Sequence, residues 1–196
     1  IKAAKKEGIT NFPIHIKLDT GMHRLGFAPE DMPRLIERLK SQNAVIARSV
    51  FSHLVGSDAS QFDAFTRGQI EMFEAASMQL QAAFPHKILR HICNSAGIER
   101  FLGAQFDMVR LGIGLYGISP IDNTIINNVS TLKTTILQIR EVPEEDTVGY
   151  SRKGHLTRDS RIAALPIGYA DGLNRHLGNG HAYCLVNGQR APYVGN

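Results

Sequence analysis

Four places in this 196-residue chain put chemistry-bearing side chains where short apolar runs end: Lys17 with Asp19, His53, Asn94 with Ser95, and Arg110. A barrel of parallel strands assembles its reactive pocket at the C-terminal strand ends, so four such ends in succession point to one shared pocket. His53 can exchange a proton near neutrality, whereas Arg110 carries a charge that no ordinary pH removes. The run 112–114 (GIG) lets backbone N–H groups approach an anion closely, and Ser95 can add a hydroxyl, which together make a phosphate cradle. Lys17 and Arg24 lie on one loop, and their like charges repel in a common pocket unless the lysine is neutralised. Asp19 is the obvious candidate partner. Tyr169, inside 166–172 (PIGYADG), has glycines on either side that let its ring project from a tight turn. Singly, each group also has a plainer use as a cap, a turn former or an exposed charge.

Those groups need elements to hold them. The runs 13–18 (PIHIKL) and 44–51 (AVIARSVF) are short, rich in β-branched residues and bounded by turn formers, which predicts buried strands. Between them, Pro29-Glu30-Asp31 opens a helix with Met32, Leu35, Ile36 and Leu39 on one face. A longer helix is predicted over 60–84, with Phe62, Phe65, Ile70, Phe73, Ala76, Leu80 and Ala83 as its buried stripe and Pro85 as its stop. A strand over 87–93, a helical turn after Asn94-Ser95 and a strand-like run over 105–109 leading to Arg110 continue the alternation. Repeated strand–helix units imply parallel strands with helices outside, an α/β fold. Beyond Pro120 the rhythm changes to β-type runs at 130–142, 161–167, 181–186 and 189–194, and Asn187-Gly188 signals a type I′ hairpin. The change places a boundary near 121–128, giving domains 1–124 and 125–196, the second mostly antiparallel β.

Composition excludes several classes. Lys and Arg number 22 against 18 Asp and Glu, a formal charge of +4, with 43% apolar and 20% charged residues, ordinary globular usage. The basic residues are scattered and lack an aromatic-interleaved face, so no nucleic-acid partner is expected. Cys93 and Cys184 are too few for a disulfide framework or a metal-ligand set, so no metal is expected and a reducing, cytoplasmic compartment fits. No apolar run approaches the roughly 18 residues needed to span a bilayer, so no membrane partner is expected. The start at Ile1 reads as the tail of a helix and the end follows a strand-like run, so truncation at both ends is expected.

Taken together, the segments 16–26 (IKLDTGMHRLG), 51–53 (FSH), 94–96 (NSA), 107–117 (DMVRLGIGLYG) and 166–172 (PIGYADG) resemble the alanine racemase family in content and order. The resemblance implies the later part of a (β/α)8 TIM-like barrel followed by an incomplete, mostly antiparallel β domain. It also implies pyridoxal 5'-phosphate as cofactor and a homodimer whose active sites combine one subunit's barrel with the partner's β domain. The implied reaction is interconversion of L-alanine and D-alanine by two-base proton transfer, supplying D-alanine for peptidoglycan in the bacterial cytoplasm.

Carried over motif by motif, Tyr169 matches the base that takes the α-proton of L-alanine, although a phenol titrates at about 10 in water and needs help to serve at neutrality. His53 matches the hydrogen-bond partner of that tyrosine, and Arg110 matches the residue facing the cofactor's pyridine nitrogen. A guanidinium does not give up its proton, so the cofactor is a weaker electron sink than one facing Asp, which favours racemisation over transamination. Ser95, with the N–H groups of Gly112 and Ile113, matches the phosphate site. Arg24 matches the residue near the cofactor's phenolic oxygen and the substrate carboxylate. Lys17 matches a lysine carbamylated in several members, and Asp58 an acidic residue of the substrate entryway. No segment here matches the family's cofactor-bonding lysine or its C-terminal tyrosine, so the fragment by itself is expected to be inactive. The alternatives are a racemase of another amino acid, such as serine or lysine, and a noncatalytic pyridoxal-phosphate protein. Residues 130–196 and the Tyr169 motif argue against the second. A degenerate relative is a third reading, against which all the motif residues are intact.

Overall fold

A computed structural model describes residues 1–195 of the chain. Its elements are α1 (Lys2–Lys6), β1 (Phe12–Lys17), α2 (Met32–Lys40), β2 (Val45–Phe51), α3 (Asp63–Ala82), β3 (Leu89–His91) and α4 (Ser95–Arg100). The strands β4 (Gln138–Val142), β5 (Thr147–Val148), β6 (Gly154–His155), β7 (Ser160–Ala164), β8 (Tyr183–Val186) and β9 (Gln189–Pro192) follow. The chain divides into two compact units, Ile1–Ser130 and a second beginning at Thr131.

In the first unit β1, β2 and β3 form a parallel sheet in sequence order. Strand alternation sorts its two faces. Ile16, Leu18, Val50 and Ile92 are buried with Met32, Leu39, Phe73 and Leu80 of the helices in one apolar cluster. The opposite face carries His15, Lys17, Ser49, Phe51 and His91, because each lies one residue out of phase with that core set. The register slips between Ile14 and His15, so that Ile14 pairs with Ala47 but His15 pairs with Ser49, the signature of a bulge at Arg48.

Helix α3 differs from the expectation. Its buried line is Thr66, Gln69, Phe73, Ala76, Ser77 and Leu80, while Phe62 and Phe65 are 46% and 48% exposed. Positions 66, 69, 73, 76, 77 and 80 follow a 3.6-residue period and 65 falls to one side of that line, while Phe62 precedes α3 in a 3-10 turn whose tighter winding does not continue the period. A polar Thr–Gln start to the buried face was invisible to a search for apolar residues. The run 105–109 is not a strand either. Among the described residues it makes one backbone bond to β3, Asp107 N–H to Arg90 O at 3.1 Å, and Arg110 just after it donates to Cys93 O at 3.0 Å. That suffices to fix Arg110 without building a ladder.

The second unit is antiparallel where it is paired: β4 with β7, β5 with β6, and β8 with β9. The run 130–137, expected as strand, is irregular, and β4 starts at Gln138. The β8–β9 hairpin turns at Asn187 and Gly188, with φ of 50° and 80°, as a type I′ turn requires.

Candidate active site

The polar face of the parallel sheet converges on Arg110. Its Nη1 donates to His91 Nδ1 and, at 3.2 Å, to His91 O. Its Nη2 donates to Ser52 O, to His53 Nδ1 at 3.2 Å and to Ile92 O at 3.2 Å. The guanidinium also lies 5.3 Å from the Phe51 ring centroid, and that ring stacks on His91 with 5.1 Å between centroids. Both η nitrogens are thus committed to the protein, while Nε–H has no protein acceptor among the described residues. Burial lowers the Arg110 pKa from its ordinary value.

Arginine can only donate, so both imidazole Nδ1 atoms it touches are lone-pair acceptors, and each neutral ring carries its proton on Nε2. The surroundings agree. Burial, then the charges of Arg110, Arg24 and Lys17, lower the His53 pKa, and burial with Arg110 and His15 lowers that of His91 to about 4. Two neutral imidazoles with assigned tautomers therefore flank one guanidinium.

The backbone around His53 is set by a residue outside every motif. Fully buried Gln69 accepts from Val55 N–H at 3.0 Å and donates to His53 O at 3.1 Å, tying α3 to the end of β2. Thr20, Ser52 and Leu18 O form a second buried tie, with Thr20 Oγ1 2.7 Å from Ser52 Oγ and Ser52 Oγ donating to Leu18 O at 2.9 Å. Helical period 3.6 counted through polar residues would have flagged Gln69. His91, next to Ile92 and Cys93 in an apolar run, carried a local signal only in being a histidine on a strand.

Asn94 is structural: it caps α4 by accepting from Gly97 N–H at 2.9 Å and also holds Ser57 and Leu54 O. Ser95, one residue on, accepts from Gly112 N–H at 3.0 Å and from Gly114 N–H at 3.2 Å. Gly112 therefore spends its N–H inside the protein. Among the described residues the Ser95 hydroxyl proton and the Ile113 N–H have no protein acceptor, so these two donors are left for an anion.

The loop after β1 is closed at its root by Asp19 N–H to Phe27 O at 2.8 Å and Phe27 N–H to Lys17 O at 2.9 Å. Gly26 makes that closure possible, since at φ +126° a Cβ would sit 2.8 Å from the backbone of Leu18 and Asp19. Asp19 does not neutralise Lys17. Its carboxylate accepts from the backbone N–H groups of His23 and Gly21, which hold its pKa below the usual carboxylate value, and the His23 ring Nδ1 lies 3.5 Å from its other oxygen. Lys17 is half-buried on the polar face, Arg24 is exposed on the loop, and Asp58 is exposed beyond β2. Tyr169 belongs to the second unit. It opens a short 3-10 turn, 68% exposed, with Arg175 5.8 Å from its ring centroid and Asp171 accepting from Gly168 N–H. It borders an open hollow of about 780 Å³ shared with Asn174, His176 and His181.

The site thus joins a guanidinium held through both η nitrogens, a neutral histidine and two anion donors in the segments that follow β2 and β3. The family model for the alanine racemase N-terminal domain matches residues 1–120, and that for the C-terminal domain matches 129–196. The chain belongs to the alanine racemase family. It is similar to alanine racemase 2 of Caldanaerobacter subterraneus subsp. tengcongensis, 41% identical over 189 residues, covering 93% of this chain and 48% of that protein. Alanine racemase of Fusobacterium nucleatum is 41% identical over 190 residues, covering 93% and 51%. The crystal structure of alanine racemase from Bartonella henselae with covalently bound pyridoxal phosphate superposes with a TM-score of 0.79 at 29% identity, covering 99% of this chain and 52% of that one. The chain spans about half the length of the alanine racemases it matches. The fold is accordingly part of a TIM-like barrel followed by an antiparallel β domain. No helix among the described residues is long and apolar enough to cross a membrane.

Proposed function

We propose that this chain works in an enzyme that interconverts L-alanine and D-alanine with pyridoxal 5'-phosphate, in a homodimer whose sites join one subunit's barrel to the partner's Tyr169. The observation that carries the reading is the Arg110 guanidinium, clamped through both η nitrogens and keeping one donor, Nε–H, without a protein acceptor. That donor suits a pyridine nitrogen that must stay unprotonated, because arginine offers a hydrogen bond and keeps its proton.

The donors present fit the cofactor. Ser95 hydroxyl and Ile113 N–H are free to hold the phosphate, and Gly112 serves by aligning Ser95. When bound, pyridoxal phosphate supplies the electron sink that acidifies the substrate α-hydrogen. Tyr169 takes or returns that proton on one face of the α-carbon. His53, whose Nδ1 lone pair rests on Arg110, turns its Nε2–H outward and so can stabilise the phenolate of the tyrosine. Arg24 binds the substrate carboxylate. Lys17, with no carboxylate partner among the described residues, is assigned as the carbamylated lysine, since carbamylation makes it an anion beside Arg24 and removes their repulsion. Asp58 is assigned to the entryway. The barrel portion is taken as 1–124 and the β portion as 125–196, and the setting as the bacterial cytoplasm, where D-alanine feeds peptidoglycan.

The test uses the full-length protein with pyridoxal phosphate in heavy water. D-alanine formation and α-deuterium uptake from L-alanine, both abolished in Tyr169→Phe, are expected. Exchange with serine or lysine and none with alanine would replace the substrate, and cofactor binding without any exchange would replace the function with that of a carrier.

A further inference from the structure

Beyond His91 the hydrogen bonds continue. His91 Nε2 lies 3.1 Å from Ser49 Oγ, and Ser49 Oγ lies 2.6 Å from His15 Nδ1. The three side chains share the polar face of the sheet because the slip at Arg48 sets His15 opposite Ser49. Without the bulge, one residue of register would turn His15 away from Ser49.

The direction of every proton in this chain follows from its first member. Arg110 occupies the His91 Nδ1 lone pair, so His91 must hold its proton on Nε2 and donate it to Ser49 Oγ. Ser49 has one hydroxyl proton, and the acceptor left for it is His15 Nδ1, which places the His15 proton on Nε2. Ser49 is fully buried, so no water can take over its part. Without that oxygen, His91 Nε2–H would be a buried donor with no partner, and the ring would gain by turning or by moving its proton to Nδ1. Either change confronts the guanidinium with a ring edge that cannot accept from it. The His91 carbonyl and the Ser52 and Ile92 carbonyls would still hold Arg110, but nothing would fix its rotation about the Cζ–Nε bond as tightly.

We infer that Ser49 and His15 are positioning residues for Arg110: Ser49 accepts the His91 Nε2 proton, hands its own to His15, and thereby keeps the His91 Nδ1 lone pair on the guanidinium. Neither touches the reacting atoms. Their importance for turnover rests on the function proposed above, whereas the state of the guanidinium does not.

The experiment is nitrogen-15 NMR of selectively labelled full-length protein, reading the Arg110 η nitrogens and the His91 ring. The wild type should give two separate η resonances and a His91 ring protonated at Nε2 alone. In Ser49→Ala the η pair should merge through faster rotation, with His91 showing a mixture of tautomers. Ser49→Thr keeps the hydroxyl and should restore two resonances. His15→Phe, which removes the acceptor for the Ser49 proton, should broaden the pair without merging it. In the same variants kcat should fall about tenfold for Ser49→Ala with KM within about twofold. Two sharp η resonances in Ser49→Ala, or a His91 protonated at Nδ1 in the wild type, would overturn the proposal. Separate resonances that merge in Ser49→Ala in a protein that does not racemise alanine would fault the function alone.

Discussion

Replacing Gln69 by methionine should loosen the loop that carries His53. The side chain keeps its length but loses the acceptor for Val55 N–H and the donor to His53 O, bonds of 3.0 and 3.1 Å. The contact with Thr20 at 3.5 Å is too long to add much. Leaving a buried partner unpaired costs about 1–3 kcal/mol. Val55 is 48% exposed, so water recovers much of its N–H and the low end applies there. The half-buried His53 carbonyl takes the middle of the range, and about 1 kcal/mol returns through the apolar surface of methionine in a fully buried site. The net is about 2 kcal/mol, a factor of about 30 in local opening. Hydrogen exchange of the amides over 53–58 measures it directly, because local opening is read without unfolding both units. His53 meets Arg110 at 3.2 Å, and a displacement of about 1 Å there should lower kcat by up to about a hundredfold. Exchange over 53–58 within about threefold of wild type in Gln69→Met would refute the reasoning.

Three further outcomes are expected. His91 is 4% exposed and its pKa is held at about 4 against an ordinary 6.5, so the folded state stays neutral where the unfolded chain binds a proton. Stability should therefore be full above pH 6.5 and fall by up to about 3 kcal/mol as pH drops towards 4. Melting temperature between pH 7 and 4.5 reads this, and His91→Gln should flatten the slope to the smaller residue left by His53, which shifts the same way. A slope unchanged in His91→Gln would assign it elsewhere. Gly26→Ala, with φ +126° and a Cβ 2.8 Å from backbone atoms, should cost about 2 kcal/mol or more and expose the 19–27 loop to protease, and an unaltered digestion rate would contradict the closure described. Burial pushes the Cys93 thiol up to about 11, so iodoacetamide at pH 8 should leave Cys93 unmodified in the native protein and label it after denaturation, as peptide mass spectrometry would show.

Several elements were legible because their signals are local. The strands at 13–18 and 44–51, the Met32–Leu39 face and the Asn187-Gly188 turn rest on periodicity and φ tolerance, which belong to the residues themselves. The start of the α3 face departs from an apolar stripe because Gln69 is buried on polar partners in the segment after β2, and Thr66 is buried with its hydroxyl unpaired among the described residues. The 105–109 run has strand composition yet makes a single backbone bond to β3 among the described residues, and pairing depends on where a neighbour lies.

Of the site, residue types and order came from sequence: Lys17, Arg24, His53, Ser95, Arg110 and Tyr169 stand in motifs of one family. What each group is doing was decided by the fold. Asp19 turned from a partner of Lys17 into a loop brace because backbone N–H groups surround its carboxylate. Gly112 turned its N–H onto Ser95, leaving Ile113 as the free donor. His91, His15 and Ser49 became one directed chain through a single-residue slip in strand register. Sequence determines which groups are available and which faces they alternate between, since those follow from covalent geometry. Which lone pair meets which proton depends on distances of about 3 Å between residues tens of positions apart, and only packing of the sheet sets those.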